Sequence, residues 1–375
     1  MSILHHIYKN ILNYEHQHIG LMNGACSELI FLHHYFSAYP ELYDQAAEQK
    51  IAGYRDLIFD DIENERIDLS YASGLAGVLS CSYYLENSQW CALDFLDFED
   101  IGNIMLEQAI EEFENDNFDF FYGGNGLLMP FLNHRLDIRN LDQDLLHTLK
   151  ETIIRKKTDL FWQSPKNKED NISNFGISHG FLPNLFLLAC IADSDNDISF
   201  IKKTVSEFLT YASEEDTESV FPSVIEGSKE NSKYASRLAW CYGDLGIACI
   251  LYKIGELIKD KNLQDKALEI LSKTTLRKHD DSSKVTDASL CHGSAGISSI
   301  YHSFYDQTGN ILFKEAGDYW QEITESYYSP KDEQCCFLYK SGDEYVYNIG
   351  LLEGLAGIGL SLLPNKNWSA LFLIR

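Results

Sequence analysis

One short pattern recurs seven times in this chain, and the recurrence limits the fold more than any other feature. The segments are GLMNGACSELIFL from Gly20, SYASGLAGVLSCSYYL from Ser70, FDFFYGGNGLLM from Phe118, NFGISHGFLPNLFLL from Asn174, LAWCYGDLGIACILY from Leu238, SLCHGSAGISSIY from Ser289 and IGLLEGLAGIGLSLL from Ile349. Their anchor glycines are Gly24, Gly74, Gly123, Gly180, Gly243, Gly293 and Gly354, spaced 49 to 63 residues apart. Periods of that length mark stacked supersecondary units.

Every unit has the same order. A Gly-x-x-Gly segment, or its Gly-x-x-Ser and Gly-x-x-Pro variants, opens an apolar run rich in Leu, Ile and small residues. Such a run reads as a helix hydrophobic nearly all round, hence buried. Between these runs lie amphipathic, charge-bearing stretches. In DISFIKKTVSEFLTYASEE the residues Ile198, Ile201, Val205, Phe208 and Leu209 fall at helical spacing, as do Leu263, Ala267, Ile270 and Leu271 in NLQDKALEILSK. One inner and one outer helix then fill each unit.

Seven such hairpins can stack as an open solenoid or close on themselves. A solenoid needs polar capping repeats at its ends, yet GLLEGLAGIGLSLL, the last unit, is as apolar as the middle ones. Closure is the expectation: an all-α chain forming an α/α toroid, or double-layered barrel, of seven helical-hairpin repeats with about 14 helices, a single domain over residues 1–375. Gly at the start of each inner helix would let the chain turn sharply and let backbones crowd. Three stretches depart from helix. CCFLYKSGDEYVYN (Cys335–Asn348) alternates around Ser-Gly-Asp and reads as a β-hairpin. QSPKNKEDN (Gln163–Asn171) and EEDTESVFPSVIEGSKENS (Glu214–Ser232) are polar loops expected to rim a cavity.

The net charge of −27 speaks against nucleic-acid partners, because such a surface repels phosphate backbones. The N-terminus lacks the charged and apolar regions of a signal peptide, and no apolar run is long enough to span a membrane. Nine cysteines form no disulfide framework, so the expectation is a cytoplasmic protein with reduced thiols. Its cysteines would be core hydrophobes or metal ligands.

Equivalent positions of a closed repeat array lie at one height around an axis. Just before the anchor glycines stand Asn23, Ser73, Tyr122, His179, Tyr242, His292 and Glu353; one residue earlier stand Met22, Ala72, Phe121, Ser178, Cys241, Cys291 and Leu352. Metal-competent side chains are confined to repeats four to six. Either Cys alone could be a small buried side chain. Two in one column, one of them carrying His, suit zinc: Cys241, Cys291 and His292 make a three-ligand set that keeps a fourth position open. A thiolate–imidazole nucleophile is the alternative. Neighbouring residues rarely face each other, so adjacent Cys and His fit shared metal ligation better. His179 reads as an outer-sphere group or a general acid/base, or else as a satisfied core histidine. Arg237 precedes Cys241 by four, one helical turn, and so could point to the same rim, or equally be a surface ion-pair partner. Asp119 lies between phenylalanines and could titrate high or cap a helix. Cys335–Cys336, His5–His6 and His33–His34 match no column and read as local packing.

With these motifs in hand, the chain resembles the lanthionine synthetase C-like proteins. NFGISHG, SRLAWCYGDLG, LCHGSAG and the Gly-x-x-Gly series carry the resemblance, which spans Ile19 to Leu362. Leu245 departs from it, standing where the family commonly has Pro. The resemblance implies an α/α toroid with one zinc ion (Zn2+) on Cys241, Cys291 and His292. It also implies catalytic roles for His179, Arg237, Tyr242 and Asp119. The implied reaction is Michael-type addition of peptide Cys thiols to dehydroalanine or dehydrobutyrine, giving (methyl)lanthionine thioether rings. The implied partners are a dehydrated precursor peptide as substrate, a dehydratase and a transporter, which would put a cytoplasmic enzyme at the periphery of a membrane-associated complex. Glutathione addition to dehydroamino acids in proteins, and a non-catalytic zinc-containing scaffold, are the other readings this family leaves open.

Overall fold

The computed structural model describes every residue except 1, 94–98, 133–136, 214, 216, 228–231, 279, 330–335 and 375. Helices dominate the described residues. One set comprises α2 (Ala25–Ala38), α4 (Leu75–Leu85), α6 (Gly124–Leu132), α9 (Leu182–Ile191), α11 (Asp244–Leu257), α14 (Ser294–Thr308) and α16 (Leu355–Leu362). These are the seven expected apolar runs, and each is buried along most of its length. A second set alternates with them: α1 (Ile3–Asn13), α3 (Gln45–Glu63), α5 (Glu99–Glu114), α7 (Gln143–Lys156), α10 (Asp195–Leu209), α12 (Lys261–Thr274) and α15 (Ile311–Ser326). These bury one face only. In α10 that face is Ile201, Thr204, Val205 and Phe208; in α12 it includes Leu263, Ala267, Ile270 and Leu271. Two short helices, α8 (Pro165–Glu169) and α13 (Asp280–Ser283), sit in connecting loops.

The chain divides into two compact units. One comprises Met1–Asp97 with Thr286–Leu373, the other Phe98–Val285. The first therefore holds repeats one, two, six and seven, and within it α16 packs on α2 and on α1. That junction between the last repeat and the first is the contact an open solenoid lacks.

The two helix sets begin differently. The one-faced helices start on side-chain caps: Asp44, Asp142, Asp260 and Asn310 each accept a backbone N–H, and Ser194 forms a full capping box. The buried helices other than α9, whose N-cap is Phe181, start at the anchor glycines, which have no side chain to offer. Their first N–H groups go instead to a carbonyl in the loop before them: Leu75 to Asp68 (2.7 Å), Ser294 to Asp287 (3.0 Å), Leu355 to Asn348 (3.1 Å). The loop thus curls back over its own glycine. A Cβ on Gly74 would lie 2.1 Å from Asp68 Oδ1, and one on Gly293 would lie 2.3 Å from the Ser289 nitrogen. The second glycine of the motif is as tightly held: a Cβ on Gly296 would meet the Leu290 carbonyl at 1.9 Å. Crowding, rather than backbone freedom, explains the motif. Gly243 alone among the seven anchors has positive φ, at 106°.

The column two before each glycine is a physical ladder. In one unit Cys291 N–H donates to Leu352 O (2.9 Å), Leu352 N–H to Met22 O (3.2 Å) and Met22 N–H to Ala72 O (3.0 Å). In the other, Ile177 N–H donates to Cys241 O (3.0 Å) and Phe120 N–H to Ser178 O (3.2 Å).

Two small antiparallel sheets complete the description. β3 (Tyr339–Ser341) and β4 (Glu344–Val346) form the expected hairpin; Cys336 is buried beside it, and Cys335 lies outside the described residues. β1 (Ile172–Asn174) pairs with β2 (Val224–Glu226), a link between the two polar loops that their composition did not announce. Each loop borders a cavity. The first helps enclose about 180 Å³ and the second about 340 Å³. Among the described residues, no helix is long and apolar enough to cross a membrane.

Candidate metal and acid–base site

Four loops that precede buried helices, those before α6, α9, α11 and α14, carry the candidate chemistry. In the loop before α9, Asn174 Oδ1 accepts the Gly176 N–H at 2.8 Å, and this turn delivers His179 just ahead of Gly180. His179 Nδ1 lies 2.6 Å from Asp119 Oδ2. Asp119 is itself fixed, because its Oδ1 accepts the N–H groups of Phe121 (2.8 Å) and Tyr122 (2.9 Å). The apolar setting expected for Asp119 is therefore a polar one: its phenylalanine neighbours contribute a backbone donor. The hydrogen bond to Asp119 raises the His179 pKa; burial opposes this, and the charges of Asp119 and Cys241 reinforce it. Nε2 of His179 remains for another partner. The 180 Å³ cavity lies here, lined by Asp119, His179, Asn117, Asn174, Trp162 and Asn167.

The loop before α11 supplies Cys241 and Tyr242. Cys241 is buried, and its carbonyl holds the Ile177 N–H. Tyr242 Oη accepts from Asn174 Nδ2 at 3.3 Å, and its ring lies 6.4 Å from that of His179. Burial raises the Tyr242 pKa, so the phenol keeps its proton at neutral pH. Asn174 thus serves two candidate residues at once, and sequence reasoning missed it. Arg237 requires a correction. Residues 232–237 contain no helix and α11 starts only at Asp244, so no helical turn relates Arg237 to Cys241. Arg237 is half-buried at the head of the same loop, and its carbonyl oxygen closes on Gly243.

The loop before α14 supplies Cys291 and His292. Cys291 is buried, and His292 Nε2 lies 3.5 Å from Oδ2 of the fully buried Asp287. Asp287 escaped the sequence reading. Its signal was the column six before the anchor glycines, which holds Asp68, Asn117, Asn174, Asp287 and Asn348 in five of the seven repeats, with His18 and Arg237 in the other two. Burial alone would raise its carboxyl, but the His292 imidazole and the N–H groups of Lys340 and Ser289 outweigh that and hold it at about 2.

Cys241, Cys291 and His292 make a group that could hold a metal ion. Two thiolates and an imidazole form a zinc set with one position left for substrate, and a carboxylate on the far nitrogen of the histidine is the usual support for such a ligand. The donor chemistry fits. The remaining described cysteines behave as core residues: none is in a disulfide, and burial pushes the thiols of Cys91, Cys190 and Cys249 up to about 12. The histidine pairs near the N-terminus, expected to be local, instead bond side chains 30 to 322 residues away. His5 bonds Tyr35, His6 Tyr328, His33 Ser88 and His34 Tyr84.

A chain of seven glycine-opened helical hairpins with this Cys, Cys, His group belongs to the lanthionine synthetase C-like family, whose model matches residues 15–371. A solved structure of a nisin cyclase matches with a TM-score of 0.74 at 19% identity, covering 98% of this chain and 96% of that one. The likeness assigns the fold over essentially the whole chain as the all-α toroid expected from the repeats.

Proposed function

We propose that this chain is a zinc-dependent lanthipeptide cyclase, with residues 1–375 acting as one catalytic domain. The observation that carries this reading is the donor set Cys241, Cys291 and His292 in a member of this family. Zinc held there would convert a substrate thiol, whose ordinary pKa is about 8.5, into a bound thiolate, and two cysteine ligands would offset the metal charge and keep that sulfur nucleophilic. The substrate is a precursor peptide bearing cysteines and dehydrated serines or threonines.

The chemistry left to the protein is proton handling. The thiol gives up its proton and its sulfur bonds to the β-carbon; the alkene electron pair moves to an enolate, and a proton then adds at the α-carbon. His179 is the proton donor we assign. Its raised pKa keeps it charged further up the pH scale, and Asp119 fixes its ring. Tyr242, protonated, and Arg237, always charged, are suited to hold the enolate oxygen. A dehydratase must act before this step, a transporter would act after it, and the free thiols of the substrate require a reducing compartment such as the cytoplasm.

The test is incubation of the purified protein with a dehydrated, cysteine-containing peptide, followed by thiol alkylation and mass spectrometry. Cyclisation leaves the peptide mass unchanged and removes alkylatable thiol. Thiols that stay alkylatable overturn the reading. A mass gain of one glutathione, seen only when glutathione is added, replaces it with intermolecular addition.

A further inference from the structure

The residue just before the anchor glycine is histidine in two repeats, and each histidine meets a carboxylate through a different nitrogen. His179 turns Nδ1 to Asp119, a residue of the preceding repeat. His292 turns Nε2 to Asp287, a residue of its own loop. Asp287 has no conformational choice. Its Oδ1 accepts the Ser289 N–H (2.9 Å), its Oδ2 accepts the Lys340 N–H (3.0 Å), and its carbonyl accepts the Ser294 N–H that opens α14. The carboxylate is fully buried, and both of its oxygens are already turned to backbone N–H donors. Nε2 of His292, 3.5 Å from Oδ2, is the imidazole nitrogen placed to share that acceptor.

We infer that Asp287 is the positioning residue for the metal ligand His292: it holds the proton on Nε2, leaves Nδ1 as the metal donor, and ties the β3–β4 hairpin to the same carboxylate through the Lys340 N–H. The inference rests on the metal reading above. The other repeats supply an internal control. Asp68 holds the equivalent position in repeat two, accepts the Ser70 N–H at 2.7 Å and bonds the equivalent side chain, Ser73 Oγ, at 3.1 Å. The carboxylate-to-side-chain link is thus a device of the loop, adapted in repeat six to an imidazole. Asn174 and Asn348 hold the same position in repeats four and seven and close the same turn, onto Gly176 and Gly350. Asparagine is therefore compatible with the loop, which makes Asp287→Asn a variant that should fold. Its amide would offer an N–H2 where Oδ2 now accepts, opposing both the Lys340 N–H and a proton on His292 Nε2.

Two measurements test this. Nitrogen-15 NMR of ring-labelled, zinc-loaded wild-type protein should show His292 metallated at Nδ1 and protonated at Nε2. Chelator competition should show Asp287→Asn binding zinc roughly 10- to 100-fold more weakly, with Asp68→Asn unchanged. Tight zinc binding with His292 metallated at Nε2, or Asp287→Asn binding zinc as wild type does, overturns this inference and leaves the metal reading standing. Wild-type protein that binds no zinc overturns both.

Discussion

His179 and His292 occupy the same place in two repeats, one in each compact unit, and their surroundings have diverged. The His179 side chain is 45% exposed and its Asp119 partner 21%; His292 is 14% exposed and Asp287 not at all. A proton donor must reach substrate and exchange with solvent, whereas a ligand's support must be dry and fixed. The exposed pair also borders a cavity, and the buried pair is anchored to a hairpin and to a helix start. One loop design therefore supports two kinds of chemistry, and which nitrogen meets the carboxylate separates them.

The sharpest way to break this contrast is to remove each histidine in turn. His292→Ala should abolish zinc binding and cyclisation together. His179→Ala should keep full zinc content while lowering the rate about 10²- to 10⁴-fold, the range for a lost general acid. Zinc loss in His179→Ala, read by metal analysis, would erase the distinction. A smaller effect is expected of Asp119→Asn. The carboxylate raises the His179 pKa, so its loss should move the alkaline fall of the pH–rate profile to lower pH. The same shift has a stability counterpart. Folded His179 holds its proton more tightly than the unfolded chain does, so the pair stabilises the fold below the ordinary histidine value of about 6.5. That contribution disappears as pH rises through the folded value, and thermal melts of wild type and Asp119→Asn should converge at alkaline pH. Smallest of all is Tyr242→Phe. It removes the 3.3 Å bond from Asn174, worth about 1 kcal/mol, so a rate loss of several-fold with zinc unchanged is expected. A loss as large as that of His179→Ala would move the proton donor to Tyr242.

Much of this was legible in the sequence because repetition converts position into geometry. Column alignment picked out Cys241, Cys291, His292 and His179, and the ladder of backbone bonds through Cys241, Cys291 and the residue before His179 shows why the columns are physical. The apolar runs and the faces of α10 and α12 followed from periodicity. What escaped was whatever depended on how a loop folds on itself. Arg237 read as one helical turn from Cys241 because the stretch between them carries no helix-breaking residue, whereas the turn depends on the positive φ of Gly243 and on the Arg237 carbonyl packed against it. Asp287 and Asn174 lie six residues from their glycines, the first outside the quoted segment and the second at its very start, and their importance comes from turn closure. The β1–β2 pairing joins segments about 50 residues apart in two polar loops, where neither strand has the alternation that announces one.

The central claim is that the Cys, Cys, His group holds the metal on which cyclisation depends. Zinc content and thiol loss from a dehydrated peptide, measured side by side on wild type and Cys291→Ala, test it most directly. Wild type should hold one zinc and consume the thiol, and Cys291→Ala should do neither. A Cys291→Ala protein that has lost its zinc and still cyclises the peptide would contradict the account.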